Sequence, residues 1–300
     1  MTSSAKDLWR RAASIQAIRK FFINHDYLEI ETPNLISTPA PETHIDAIPA
    51  GNAFLHTSPE LCMKRLLSYG HSRIFQICKC YREGERGKIH LPEFTMLEWY
   101  RTGADYMDIM DECEAMIAFV AQALGAGEVI EYLGGRIDLK RPWERVTLKS
   151  MFDQYATISV EEAIHLDRFD EIIVDEIEPR LKGPRPVFLY DYPQSLAAFA
   201  RLSKDSKWAE RFELYMGGLE IANAFSELTD AREQRIRFEK EIERRKKLGK
   251  KGYPIPEKFL EDLPNMSPAA GIALGIDRLI MLLCDKAEID KVVTFIPEEL

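Results

Sequence analysis

Apolar positions recur at two periods along the 300-residue chain, one helical and one extended. Leu8, Ala12, Ile15 and Ile18 stand three and four apart, which predicts a helix over residues 5–23 capped at Ser3 or Ser4. Tyr27 to Glu31 then reads as a strand stopped by Thr32-Pro33, and a loop with Pro39, Pro41 and Pro49 follows. Leu61 to Tyr69 predicts a short helix. Arg73 to Arg82 alternates like a strand, with residues 93–100 (EFTMLEWY) as its antiparallel partner. A helix over 105–124 leads into a mixed stretch, about 130–185, that shows turn signals and no recognisable chemistry. Val187 to Tyr192 is a strand and 208–228 a hairpin. Residues 231–248 form a charged helix, and a strand from Ala270 to Leu274 runs into a helix from Ile276. Strands outnumber simple βαβ units, so the expected fold is α+β, a mostly antiparallel sheet flanked by helices.

Composition narrows the class. Apolar residues make up 46% and charged residues 30%, as in a soluble globular protein. No apolar run is long enough to span a bilayer. The basic, amphipathic first twenty residues raise a transit peptide, but Asp7 interrupts the pattern and an ordinary first helix fits better. A net charge of −9 argues against a protein that mainly grips nucleic acid. Cys62, Cys78, Cys80, Cys113 and Cys284 are an odd number without framework spacing. Cys78 and Cys80 share one strand face but lack a second pair at zinc spacing, which points to reduced cytoplasmic thiols. No P-loop is present: Gly84, Gly87 and Lys88 have the wrong spacing and no following Ser or Thr. Any ATP phosphates must therefore be held by side chains and metal.

The stretch 210–230 carries the most chemistry. Gly217-Gly218 predicts a two-residue turn, setting Met216 opposite Leu219, Tyr215 opposite Glu220 and Glu213 opposite Ala222. Glu213 and Glu220 then share a sheet face as diagonal neighbours, with roughly 7–8 Å between their backbones. Carboxylates that close repel unless a cation lies between them, and their oxygens suit Mg²⁺. Asn223 and Glu227 lie just beyond. In residues 81–101, Arg82 ends a strand beside a loop with Arg86, Lys88 and His90. Phe94 opens the return strand, which also carries Glu98 and Tyr100. An arginine here can take phosphates, an aromatic can stack on a base, and an acid can hold an amine. In residues 269–283 a small-residue strand turns at Gly275 into a helix bearing Asp277 and Arg278, so that a ligand can approach the backbone.

Together these segments resemble motifs 1, 2 and 3 of the class II aminoacyl-tRNA synthetases, in order and over nearly the whole chain. The detail is similar to the lysine type: Ser58-Pro59-Glu60, the PEFTMLE run at 92–98, and Glu220 to Leu228. Within it the chain is similar to the lysyl-tRNA synthetase paralogs that modify elongation factor P. The first motif begins within about twenty residues of Met1, leaving no room ahead of it for a five-stranded anticodon-binding barrel. Leu97 to Arg101 is typical of the paralogs, and Ala273 replaces the usual glycine. The resemblance implies one catalytic domain over 1–300, a cytoplasmic homodimer through motif 1, and ATP with Mg²⁺ as the reagents. It implies (R)-β-lysine or lysine as substrate and elongation factor P rather than tRNA as acceptor. It also implies phosphate contacts from Arg82 and Arg278, and an ATP site of Glu83, Gly84, His90, Leu91, Phe94, Glu220, Ile221 and Gly275. Glu213 and Glu220 would hold Mg²⁺, while Ser58, Glu60, Glu98, Tyr100, Asn223, Glu227 and Ala273 would surround the amino acid. The sequence departs from the family at Gly84, where motif 2 usually has its acid, and at Leu91, where it usually has asparagine.

Overall fold

The alternating runs pair into one eight-stranded sheet in the computed structural model, which describes residues 3–300. Its strands are β1 (Leu28–Glu29), β2 (Arg73–Tyr81), β3 (Glu93–Thr102), β4 (Glu144–Thr147), β5 (Val187–Pro193), β6 (Trp208–Met216), β7 (Leu219–Ser226) and β8 (Ala269–Gly275). They lie in the order β1-β2-β3-β8-β7-β6-β5-β4. The outermost pairs, β1 with β2 and β4 with β5, are parallel, and every pairing between them is antiparallel. The α+β expectation holds.

Among the helices that accompany the sheet are α1 (Ala5–Asn24), α2 (Glu60–Ser68), α3 (Tyr106–Ala123), α4 (Ala231–Lys247) and α5 (Ile276–Leu283). The face that carries Leu97, Trp99, Ile272 and Leu274 joins α1, α3 and α5 in the main core. Phe22 of α1 stacks on Phe75 at 4.8 Å and meets Trp99 at 5.1 Å, contacts worth about 0.5–1.5 kcal/mol each beyond burial. The opposite face carries Met96, Glu98 and Tyr100 of β3 and Gly271, Ala273 and Gly275 of β8, and it opens into a cavity. The sheet therefore separates a dry core from the chemistry.

Three local expectations shift. Ser4 caps α1 by accepting from the Asp7 N–H, but the buried stripe is Ser14, Ala17, Ile18, Phe21 and Phe22. Only Ile18 of the expected face belongs to it, because the large aromatic residues select which face turns inward. The strand predicted over 27–31 pairs only at Leu28–Glu29, after Asp26 (φ 60°) turns the chain out of α1. The stretch 130–185 resolves into a hairpin (129–138), β4, and helical turns through Leu181. Helix α4 is laced by its own ion pairs, among them Arg237–Glu233, Arg244–Glu241 and Lys247–Glu243, as a solvated charged helix should be. Its Arg245 is buried and donates to the Glu42, Ile45 and Lys251 carbonyls, which fastens the proline-rich loop. Among the described residues no helix is long and apolar enough to cross a membrane.

Candidate active site

One row of paired residues crosses the open face of the sheet. Glu98 of β3 stands opposite Ala273 of β8, Ala273 opposite Asn223 of β7, and Asn223 opposite Glu213 of β6. This row depends on a bulge. The turn at Gly217 (φ 57°) and Gly218 (φ 82°) pairs Met216 with Leu219 and Tyr215 with Glu220, as predicted. The register then slips, leaving Ile221 unpaired, so Leu214 meets Ala222 and Glu213 meets Asn223 rather than Ala222. Strict alternation from Glu220 would have turned Asn223 toward the face of Phe212, in the core. The extra residue puts Glu213, Glu220 and Asn223 on one face.

The cavity above this row measures about 340 Å³ and has two chemically different ends. At one end, Glu98 is buried and accepts from Ser58 Oγ (2.7 Å) and Tyr100 OH (2.5 Å). Burial, then the charge of Glu60, pushes its carboxyl up to about 8. Glu227 is buried as well, and burial raises it to about 7 despite Lys64. Lys64 Nζ lies 2.5 Å from both Glu60 Oε1 and Glu227 Oε2, 4.3 Å from the Phe199 ring centroid, and almost without exposure. Gly271 makes room here: a Cβ on it would lie 2.2 Å from the Tyr100 ring and 2.9 Å from Glu227 Oε1. Glu42, on the loop fastened by Arg245, also lines this cavity, and burial followed by Glu60 pushes it up to about 7. Four carboxyls thus line this end, and only Glu60 and Glu227 are held by the Lys64 ammonium. That surplus suits a ligand bearing amines.

At the other end, Arg278 leaves the first turn of α5 and donates to the Glu220 carbonyl (2.7 Å) and to His90 Nε2 (2.7 Å). An accepting Nε2 makes His90 neutral, and burial, then Arg278, holds its pKa below the usual histidine value. The Arg82 guanidinium lies 5.0 Å from the Phe94 ring centroid and 3.6 Å from Glu85 Oε1, with its buried Nε free of any partner. Glu213 accepts from Arg211 Nη2 (2.6 Å) and Tyr215 OH (2.9 Å). Glu220 has only a 3.5 Å contact with Arg278, and burial, then Glu213, raises its pKa. Asn223 Oδ1 is buried without a hydrogen-bond partner. Two like-charged carboxylates and an unpartnered amide oxygen make a hard oxygen donor set of the kind that takes Mg²⁺.

The motif segments and their order have their counterpart in known proteins. A family model described as tRNA synthetases class II (D, K and N) matches residues 2–299. The chain belongs to the class II aminoacyl-tRNA synthetases. The elongation factor P–(R)-β-lysine ligase of Mannheimia succiniciproducens is 38% identical over 97% of this chain and 94% of that protein. Proteins of the same name from Pseudoalteromonas translucida and Vibrio cholerae are each 36% identical over 98% of this chain and 96% of theirs.

In this candidate site, most of the residues singled out from the sequence meet around one cavity. Ser58, Glu60, Arg82, His90, Leu91, Phe94, Glu98, Tyr100, Glu213, Glu220, Ile221, Asn223, Glu227, Ala273, Gly275 and Arg278 all line it. Glu83 and Gly84 do not. Both are exposed, because Gly84 (φ 76°) turns the motif 2 loop outward, and the acid that reaches the cavity is Glu85. Arg86 is likewise drawn away, into ion pairs with Asp290 and Glu298. Asp277 ties the motifs together from below, accepting the Thr95 N–H (2.6 Å) and pairing with Arg11 (2.5 Å). Sequence reasoning missed Lys64, Arg211, Glu42 and Gly271. Lys64 is four residues after Glu60, a spacing that reads as an exposed helix pair. Glu178, from the stretch that showed no chemistry, lies near Glu213, whose charge adds to burial in raising its pKa.

Proposed function

We propose that this protein uses ATP to activate (R)-β-lysine, or lysine, as an aminoacyl-adenylate and transfers it to a lysine side chain of elongation factor P. The observation that carries the reading is the two-ended cavity: buried carboxyls at one end, two arginines and a carboxylate pair at the other, joined by a single row across the sheet. The names of the relatives supply the substrate and acceptor.

The substrate carboxylate attacks the α-phosphorus of ATP, the bond to the β-phosphate oxygen breaks, and pyrophosphate leaves. No general base is required, because the nucleophile is already ionised at neutral pH. Arg82 and Arg278 neutralise the phosphates, Phe94 and Leu91 wall the base, and the row fixes the attack distance. Glu213 and Glu220, with Asn223 beside them, would hold Mg²⁺, which supplies charge neutralisation at the triphosphate. Glu60, Glu98 and Glu227 select the cationic end of the amino acid. The acceptor amine then attacks the activated carbonyl, AMP leaves, and a proton is released. The same reading takes 1–300 as one catalytic domain working as a cytoplasmic homodimer.

Incubation with ATP, Mg²⁺, each lysine isomer and either elongation factor P or tRNA, followed by intact mass measurement, tests it. The expected result is a gain of one lysyl unit on the factor and uncharged tRNA. Charged tRNA with an unmodified factor would overturn it.

A further inference from the structure

Cys78 and Cys80 are two residues apart on β2, where backbone positions lie about 6.8 Å from each other. Their sulfurs are only 3.9 Å apart, so the two side chains lean toward a common point. That separation is close to about 3.8 Å, the edge of a tetrahedron built with Zn–S bonds of about 2.3 Å. The third member comes from outside the strand. A ring nitrogen of His56, Cys78 Sγ and Cys80 Sγ all lie within 4.8 Å of one another, the one such cluster among the described residues. His56 is buried, and its Nε2 donates to the Lys79 carbonyl at 2.6 Å. This leaves the ring lone pair on Nδ1. A histidine anchored through its other nitrogen to a backbone carbonyl is the usual outer support of a metal-bound imidazole.

We propose that His56, Cys78 and Cys80 form a three-ligand Zn²⁺ site that Glu213 and Glu220 do not share, its fourth position open to water. Binding deprotonates both thiols, and the two protons go to solvent. The site adjoins the proposed active centre: Cys78 and Cys80 stand opposite Met96 and Phe94, which line the cavity, and His56 is two residues ahead of Ser58. An ion here would staple the turn that carries Ser58 and Glu60 to β2. The donor set is soft, unlike the oxygen set at Glu213 and Glu220, so the two sites select different metals.

Anaerobic titration of the reduced, chelator-treated protein with Co²⁺ tests the site. A thiolate-to-cobalt charge-transfer band should saturate at one ion per chain and vanish when Zn²⁺ is added. Co²⁺ at the carboxylates would give no such band. Cys78→Ser and Cys80→Ser should each abolish it, while Cys62→Ser should keep it. On the wild-type protein, Zn²⁺ should protect the half-buried Cys78, but not Cys62, from alkylation read by peptide mass. Absence of a saturable band, a band that survives in both serine variants, or alkylation of Cys78 indifferent to Zn²⁺ would overturn the proposal.

Discussion

Lys64 Nζ lies 2.5 Å from Glu227 Oε2, with both side chains sealed from solvent. The acids expected to meet the substrate amines thus already hold an internal ammonium, which Glu60 shares from one helical turn away. A buried ion pair contributes little net stability, but removing one partner strands the other.

Lys64→Met should therefore destabilise the protein by about 3–5 kcal/mol at pH 8. The loss should shrink at pH 6: burial holds Glu227 at about 7 even with Lys64 beside it, so without that ammonium its carboxyl moves further up and is fully protonated there, needing no counter-charge. Urea unfolding at the two pH values measures both. An equal loss at each would mean that Glu227 is not the group left unpaired.

Amino-acid binding should be pH-dependent. In the substrate-free protein Glu98 and Glu227 titrate near 8 and 7, against an ordinary 4.5. The folded state then binds more protons than the unfolded one, so this contribution to stability is complete below about pH 4.5 and is lost as pH rises through 7 and 8. A bound ammonium favours the ionised carboxylates and expels their protons. KM for the amino acid should fall between pH 6 and 8, by about tenfold per unit for each proton released. A flat KM profile would remove these carboxyls from amine recognition.

The carboxylate pair should respond unequally. Glu220→Gln should lower ATP–pyrophosphate exchange by about a hundredfold at limiting Mg²⁺, with partial recovery as Mg²⁺ is raised. Glu213→Ala should add a fall in stability, because it unpairs the largely buried Arg211. Exchange assays across Mg²⁺ concentrations, beside thermal melts, separate the two effects. Near-normal exchange in both variants would make the pair structural.

Ala273 sits in the row between Glu98 and Asn223, with its methyl group on the cavity wall. One methyl is worth roughly 1–3 kcal/mol in discrimination. Ala273→Gly should raise kcat/KM for α-lysine relative to (R)-β-lysine by about ten- to two-hundredfold without abolishing ATP use. An unchanged ratio would show that the methyl group only packs.

Trp9 and Ile23 on α1 are 78% and 59% exposed, and Leu28 and Leu35 just beyond are 51% and 55% exposed. Large apolar groups left this open fit a two-fold interface. Light scattering at micromolar concentration should give twice the 34.5 kDa chain mass, and Trp9→Glu with Ile23→Glu should return the monomer. A wild-type monomer would refute the homodimer.

The sequence by itself determined the motif segments and the strands that carry them, because alternation, turn glycines and charged residues at strand ends are local signals. Gly217-Gly218 placed the hairpin, and Glu98, Arg82 and Arg278 could be singled out where they stand. It did not determine the register beyond Glu220. The bulge at Ile221 exists because β7 must pair with β6 and β8 at once, a constraint that no single strand records. Local sequence likewise placed Lys64 on a helix but could not bury it. Burial there is imposed by Phe199, Phe225 and Tyr100, which arrive from distant segments. The sequence set Cys78 and Cys80 on one strand face but gave no sign of His56 beside them: twenty-two residues separate the histidine from the first thiol, and only the fold brings the three within 4.8 Å. Local periodicity fixes which elements form; the charge of a site and its ligands depend on which elements meet.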